Sequence, residues 1–215
     1  MPLGAARFGF QSGKSFIEAT GGNAINTYTE GGVNYKAHVF TASGNFVVSS
    51  LGSDGATQIL LVAGGGSAGG GNGDPNSAGG GGAGAYVIDT LTFSSIGTYP
   101  IVIGAGGAQV SHANVGNQGN SSQIQAIGGG SNLKQGNGGG RGADPGGVGG
   151  NSGDPNGGSG GGSGGTNTGT SSGGSKGNNG GPGDGGDRAG GGGGAGEAGN
   201  TDGQSAGGDG LSNTY

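Results

Sequence analysis

The sequence predicts an all-β protein: a small β-sandwich-like domain followed by a glycine-rich region, with essentially no α-helix. The first observation is a series of apolar or alternating segments, five to nine residues long, separated by glycine-containing turns up to residue 133. The second is that no segment shows an apolar period of 3.6 residues. The third is that 40 of the 88 residues from 128 to 215 are glycine.

The first predicted strands lie in a β domain over residues 33–133. Residues 33–39 alternate apolar and polar side chains, which is typical of a half-buried strand. A turn over 41–45 separates them from a second predicted strand at 46–51, and we expect these two strands to form a hairpin. Residues 58–63 are continuously apolar, which predicts a strand buried on both faces.

Three more strands complete the predicted domain. Residues 85–93 are rich in β-branched and aromatic side chains, and residues 99–103 and 122–127 are shorter apolar segments. Proline lacks a backbone N–H donor, so Pro100 is expected at the start of its strand or at a sheet edge.

The glycine-rich region over 134–215, and the glycine loop 64–84 inserted in the β domain, admit two interpretations. Between Lys134 and Gly210 the only large apolar side chain is Val148, so burial of side chains cannot offset the entropy of ordering. One interpretation is a flexible linker. The other is a set of packed polyglycine II rods, which rise about 3.1 Å per residue and bond to one another through backbone groups. Recurrent Asp-Pro turns favour the rods.

Composition excludes several classes of partner. The net charge of −5 and the pI near 4.6 provide no basic surface for nucleic acid or for anionic membranes. The longest apolar run, residues 59–63, is too short for membrane insertion, and the N-terminus has no apolar core of a signal peptide. The chain has no cysteine, which excludes disulfides and thiolate metal sites.

The motifs of enzymes and of cofactor or metal sites fail on their spacing. The Gly13-Lys14-Ser15 sequence lacks the glycine that a phosphate-binding loop requires five residues before Gly13, where Phe8 stands. Glycine-rich dinucleotide-like and calcium-like patterns arise by chance at this glycine content, and no helix follows them. His38 and His112 have no nucleophile or acid in a recognisable arrangement. We therefore expect no enzyme, no cofactor and no metal.

Four segments in order resemble a known family. Residues 35–46, 59–66, 79–87 and 97–107 look like the glycine-rich domain of bacteriophage tail fibre proteins and adhesins. The opening residues 3–9 resemble the start of phage fibre proteins, where the N-terminus attaches to the virion. In related adhesins, stacked polyglycine helices hold variable loops that touch the host receptor, and the resemblance implies that architecture for 134–215.

The resemblance implies a virion tail fibre or adhesin, assembled in the host cytoplasm, that attaches through segment 1–32 and recognises the bacterial surface. The isolated aromatic residues Phe8, Phe10 and Phe16 are the candidates for virion docking. Implied partners are other virion proteins, further copies of the chain (a trimer by preference), and a bacterial surface glycan or outer-membrane protein. Candidate receptor-contacting residues lie in the Asp-Pro loops; they are Asp74, Asn76, Asp144, Asp154 and Asn156.

Two alternatives stay open. A purely structural spike, plug or decoration protein of the virion would share the composition and have no receptor role. A bacterial glycine-rich surface or ice-binding protein is the second alternative, although its flat, regularly spaced face is not favoured by the irregular glycine runs.

Overall fold

The computed structural model describes residues 15–53, 55–71, 77–152 and 156–212, and the secondary structure in these ranges consists of β-strands. No described segment is a helix able to cross a membrane. The strands, in chain order, are β1 (Glu18–Thr20), β2 (Ala24–Glu30), β3 (Val33–Val39), β4 (Gly44–Ser50), β5 (Ala56–Val62), β6 (Tyr86–Thr92), β7 (Gly97–Val102), β8 (Ser122–Gln125) and β9 (Asn132–Gly136). The predicted all-β class is confirmed.

A five-stranded antiparallel sheet forms one layer of the β domain, in the order β1-β4-β7-β8-β9. The β5–β6 hairpin packs on it as the second layer. Alternate side chains of both layers point inward and form one hydrophobic core. Its largest members are Phe46, Val48, Leu61, Leu91, Phe93, Tyr99, Ile101 and Ile124.

The predicted hairpin between residues 33–39 and 46–51 is wrong. β3 pairs with β2 instead, from Glu30↔Val33 outward, through the two-residue turn Gly31-Gly32. Both glycines have positive φ, 58° and 80°, as the tight turns of β-hairpins require. β2 and β3 thus form a two-stranded ribbon, and β4 does not pair with it. Instead β4 lies between β1 and β7, where Phe46 and Val48 are buried.

Residues 58–63 are not buried on both faces, contrary to expectation. Leu61 points into the core, whereas Leu60 is 42 % exposed and Val62 is 53 % exposed. The reason is that β5 belongs to a two-stranded layer, and only one face of that layer packs on the larger sheet. Pro100 lies within β7, next to Ile101, where the pairing of β7 with β8 begins. Proline has no backbone N–H, but β7 is not yet paired with β8 at this position, so no hydrogen bond between these two strands is lost.

The glycine-rich segments, including 64–84, run as extended rods alongside one another. We number them r1 to r12; they cover residues 63–71, 77–85, 103–110, 114–120, 137–144, 147–152, 157–165, 169–174, 177–183, 189–195, 196–200 and 205–210. Strands β5, β7 and β9 continue directly into r1, r3 and r5, while r2 and r4 lead into β6 and β8. The rods therefore extend from one end of the sandwich.

Backbone hydrogen bonds between rods repeat every third residue. In r2, the N–H groups of Gly79, Gly82 and Ala85 donate to carbonyls of Ala143, Gly140 and Asn137 in r5, at 2.8–3.0 Å. The next residues in the turn, Gly80 and Ala83, donate instead to Gly190 and Gly193 in r10. A three-residue period with bonds in several directions is the geometry of polyglycine II, in which all backbone groups point outward.

The rods approach too closely for any side chain at the contact positions. A Cβ atom added to Gly79 would lie 1.9 Å from the carbonyl oxygen of Gly162, and one added to Gly82 would lie 2.2 Å from that of Ser159. Both oxygens belong to r7, whose N–H groups also bond to r2 at Gly80 and Ala83. Glycine at these positions is therefore a steric requirement of the packing.

Buried serines replace glycine where a side chain can link rods. The Ser159 hydroxyl donates to the carbonyl of Gly194 at 2.7 Å and accepts the N–H of Asn178 at 3.0 Å. Ser122 acts in the same way at the sandwich, donating to Val62 and accepting from Gly104. Each hydroxyl satisfies one carbonyl and one N–H that the rods leave unpaired.

We expect Gly82→Ala to lower the free energy of unfolding by at least about 2 kcal/mol, because the added methyl forces r2 and r7 apart. The matched control is Gly210→Ala, since a Cβ there meets nothing within 4 Å. Urea unfolding of both variants checks this. Equal midpoints for the two variants would contradict a close-packed array.

We expect Ser159→Ala to cost about 1–2 kcal/mol, because it leaves the N–H of Asn178 without its acceptor and removes one of the two donors to the carbonyl of Gly194, which keeps only the Asn178 side-chain amide. Ser172→Ala, at an exposed hydroxyl, is the control and should stay within about 0.5 kcal/mol of the parent. Thermal melting of the three proteins measures the difference. A Ser159→Ala protein as stable as the control would show that the hydroxyl does not link the rods.

Candidate functional site: a loop surface at the far end of the rods

The turns between rods fall into two groups, one beside the sandwich and one at the opposite end. Rod r1 begins at Ala63 and r2 ends at Ala85, and both alanines are buried in or beside the sandwich core. Rod r5 begins at Asn137, directly after β9. The far ends of these rods are therefore about 20 Å from the sandwich, at a rise of about 3.1 Å per residue.

Five described turns meet at the far end, and we call them together the tip surface. They are residues 111–114, 144–147, 165–168, 183–188 and 200–205. All five connect rods that run toward the sandwich with rods that run away from it.

Hydrogen bonds join the turns of the tip surface to one another. The N–H of Thr166 donates to the carbonyl of Pro145 at 3.3 Å, and its hydroxyl donates to the same oxygen at 3.0 Å. Gly185 donates to Gly165 at 3.0 Å, so the next turn is tied to this pair. Gln204 donates to the carbonyl of Arg188 at 3.4 Å. The turn 111–114 instead bonds to the end of r1, through Gly70 and Gly71.

Backbone strain is concentrated in the same turns. Among the described residues, three that are not glycine have positive φ: Ala113 at 57°, Asn200 at 67° and Ser205 at 70°. All three lie in the tip surface. A Cβ in the left-handed region costs about 1–2 kcal/mol, and such residues cluster at binding and switch sites. Asn200 offsets part of this cost, because its amide bonds to Gly191 and Pro182.

The tip surface is polar and acidic. Asp144, Asp184, Asp187 and Asp202 lie in it against the single arginine Arg188. The backbone N–H groups of Gly186 and Arg188 donate to the Asp184 carboxylate and hold its pKa below the ordinary value. This carboxylate stays charged in mildly acidic solution and keeps the turn 183–188 closed.

Apart from the tip surface, a polar groove with a volume of about 360 Å³ lies at the sandwich. Lys134 of β9 forms an ion pair with Asp89 of β6 on its wall, and Lys176 lines the same groove. The hydrogen bond from Lys134 lowers the pKa of Asp89, with a further contribution from the N–H of Thr90. The Lys134 side chain is 28 % exposed and that of Asp89 is 47 % exposed, so solvent screens the pair and it adds little stability.

Three carboxylates that sequence analysis did not group come together beside r12. Oxygen atoms of Glu197, Asp202 and Asp209 lie within 4.8 Å of one another. The Glu197 side chain also accepts the N–H of Asp209 at 3.2 Å. Two of the three residues are exposed, and exposed acidic groups of this kind are common without a bound cation. The irregular spacing of the three residues carries no metal-binding motif.

The structure separates the residues predicted to contact a receptor. Asp144 lies half-buried in the tip surface, whereas Asn156 is exposed at the opposite end, where its carbonyl accepts the N–H of Asn137. Asp74, Asn76 and Asp154 lie outside the described residues, as do the proposed docking residues Phe8 and Phe10. Phe16 lies beside β1 on the sandwich and is 61 % exposed.

Sequence reasoning missed most of the tip surface. His112, Thr168, Asp187, Arg188 and Gln204 are exposed there and were not candidates. Clusters of Asn, Asp, Ser and Thr between glycine runs are a turn signal that marks each of these loops. Composition alone does not say at which end of the array a turn lies, because that depends on the direction of each rod.

A family model described as a glycine-rich domain matches residues 40–215. No curated protein matches the chain. No solved structure matches it either. The family match covers β4 to β9 and the rods, that is, the sandwich together with the array built on it. The chain therefore belongs to the glycine-rich domain family.

Proposed function

We propose that this protein is a bacteriophage virion component, a tail fibre or adhesin, that presents the tip surface to a receptor on the bacterial cell. The proposal rests on one observation above all: five turns of different sequence converge at the end of the rods that is farthest from the sandwich. A scaffold held mainly by backbone bonds between rods tolerates changes in the exposed side chains of these turns.

The strained residues support a binding role for the tip surface. Ala113 and Ser205 hold conformations that glycine would adopt at lower cost, in a chain where glycine is abundant. Conformations fixed by surrounding bonds, as at Asn200, reduce the ordering cost when a partner binds. A bacterial outer-membrane protein or surface glycan is the proposed partner.

The position of the first described residues supports attachment of the protein to the virion through the sandwich, at the end opposite the tip surface. Ser15 donates its N–H to the Ser53 hydroxyl at 3.0 Å, and β1 follows at the edge of the five-stranded sheet. A virion attached through the segment before Ser15 would hold the sandwich and leave the tip surface free. The proposed location is therefore the virion, with other virion proteins as partners.

A purely structural virion role is the second candidate, and the β2–β3 ribbon favours it. Within the described part of the chain, the ribbon pairs with no other strand, and its side chains Ile25, Tyr28, Tyr35 and Val39 are 38–51 % exposed. Tyr28 and Tyr35 stack at 5.1 Å on one face of it. A two-stranded ribbon is marginally stable alone. Burial against neighbouring subunits, as in a homotrimer, would stabilise it.

Binding of the labelled protein to a panel of bacterial strains, in competition with phage adsorption, tests the adhesin role. Thr168→Arg adds a large charged side chain to the tip surface, and we expect it to weaken binding at least tenfold. Thr92→Arg makes the same change on the exposed face of β6 and is the control, with binding like the parent. Saturable binding of the parent to no strain, or equal binding of the two variants, would favour the structural role.

Incorporation into particles tests the docking role of Phe16. We expect Phe16→Ala to leave the melting temperature nearly unchanged, since the side chain is 61 % exposed, and to reduce the amount of protein recovered in purified virions. Ile96→Ala removes another exposed apolar side chain, in the turn between β6 and β7, and serves as the control. Equal incorporation of the two variants would remove Phe16 from the docking surface.

A further inference from the structure

Rod r10 (189–195) is buried from residue 189 to residue 194, and its neighbours can be read from its hydrogen bonds. A rod with three residues per turn directs its N–H groups in three directions and its C=O groups in three others, so six neighbours can surround it. Five rods bond to r10: r2, r7, r9, r11 and r12.

Donors and acceptors alternate around r10. Its carbonyls at 190 and 193 accept from r2, its N–H groups at 190 and 193 donate to r7, and its carbonyl at 191 accepts from r9. Its N–H groups at 191 and 194 donate to r11, and its carbonyl at 192 accepts from r12. The sixth direction therefore belongs to the N–H of Gly192 and, one turn earlier, to that of Ala189.

The ring of neighbours is closed by bonds except on that sixth side. Bonds join r2 to r7, r7 to r9, r9 to r11 and r11 to r12. Rods r12 and r2 share no hydrogen bond among the described residues. They form the two walls of a groove of about 680 Å³, and r10 forms its floor. Its lining consists of residues 77, 78, 80–83, 188–194, 205, 207 and 208.

The floor of the groove carries a donor without an acceptor. Gly192 is buried, and its N–H has no hydrogen-bond partner in the described chain. A buried unpaired N–H is unfavourable, and burial under a rod that supplies a carbonyl removes that cost. The seven residues from 188 to 194 span about 20 Å, which is enough for two turns of an added rod.

We propose that this groove binds an extended glycine-rich segment of a partner protein, which joins the array as the sixth neighbour of r10. The segment accepts hydrogen bonds from the N–H groups of Ala189 and Gly192 through carbonyls three residues apart. It must be glycine-rich, because rods at this spacing exclude side chains: a Cβ on Gly191 would lie 1.7 Å from the carbonyl of Ala206.

A partner protein is a better source of this segment than a second copy. The glycine rods of a second copy are already bonded within its own array. Two copies, each with a net charge of −5, also repel one another. The inference concerns the side of the array rather than its tip, so it does not depend on the proposed receptor role.

Peptide titration of the intact protein, followed by NMR, tests the proposal. The probe is an eight-residue peptide with the sequence of residues 158–165, GSGGGSGG, and the control peptide, GSAAASGG, has alanine at its three central glycines. At millimolar probe we expect saturable shifts of the Gly192 and Gly207 amide signals. We also expect hydrogen exchange of the Gly192 amide to slow at least tenfold. The control peptide should cause neither change.

Two variants separate loss of the groove from loss of the fold. A Cβ on Gly207 meets its nearest atom, the Gly192 oxygen, at 3.9 Å, so Gly207→Leu fills the groove without disturbing the rods. Gly210→Leu, on the same rod outside the groove, is the control. We expect the first variant to melt like the parent and lose the peptide response, and the second to keep it.

Three results would overturn the proposal. The first is the absence of saturable shifts in the parent. The second is an equal response to the probe and the alanine peptide, or an equal response of the Gly207→Leu and Gly210→Leu proteins. The third is a parent that sediments as a dimer and that Gly207→Leu makes monomeric, because this result assigns the groove to a second copy.

Discussion

Hydrogen bonds between the backbones of neighbouring rods are the interaction on which the rest of this structure depends. Each bond contributes only about 1 kcal/mol net, but the three-residue period allows one rod to bond to several others. The central rods r2, r7 and r10 bond to one another and to further neighbours. This replaces the side-chain core that the glycine-rich sequence cannot form, and it compensates for the high entropic cost of ordering glycine.

The sandwich provides what the rods lack, a hydrophobic core that fixes where they begin. Strands β5, β7 and β9 pass directly into r1, r3 and r5, and r2 and r4 pass into β6 and β8. The change from strand to rod occurs at Ala63 and Ala85, which are both buried. The N–H of Ala63 donates to the carbonyl of Ala85 at 3.0 Å. Five rods thereby enter the array with position and direction already set, which lowers the cost of ordering the later ones.

Periodic bonding also determines which surfaces of the protein are available to partners. In the interior of the array, the backbone N–H and C=O groups of the rods are hydrogen-bonded to other rods. On one side, the N–H groups of Ala189 and Gly192 have no acceptor among the described residues. At the ends of the rods, the chain must turn, and the turns carry side chains that the packed rods exclude. The tip surface and the lateral groove thus follow from the same geometry, although one presents side chains and the other presents backbone.

The sequence by itself determined the fold class and the location of most strands, and it left a flexible linker and packed polyglycine rods as the two interpretations of the glycine-rich region. Apolar alternation at 33–39 and β-branched residues at 85–93 are local signals, and Val148 as the only large apolar residue between Lys134 and Gly210 excludes a conventional core there. The Gly31-Gly32 turn is also a local signal, and it connects β2 to β3, whereas the turn signal at 41–45 connects strands that do not pair.

Only the tertiary structure decided strand partners, rod directions and the grouping of turns. Which face of β5 is buried depends on the layer that it joins, and the positions of Asp144 and Asn156 at opposite ends depend on the path of r5 to r7. Glycine rods have almost no side chains to specify their neighbours. Their arrangement follows from bonds among residues far apart in the chain, and no local pattern encodes those bonds.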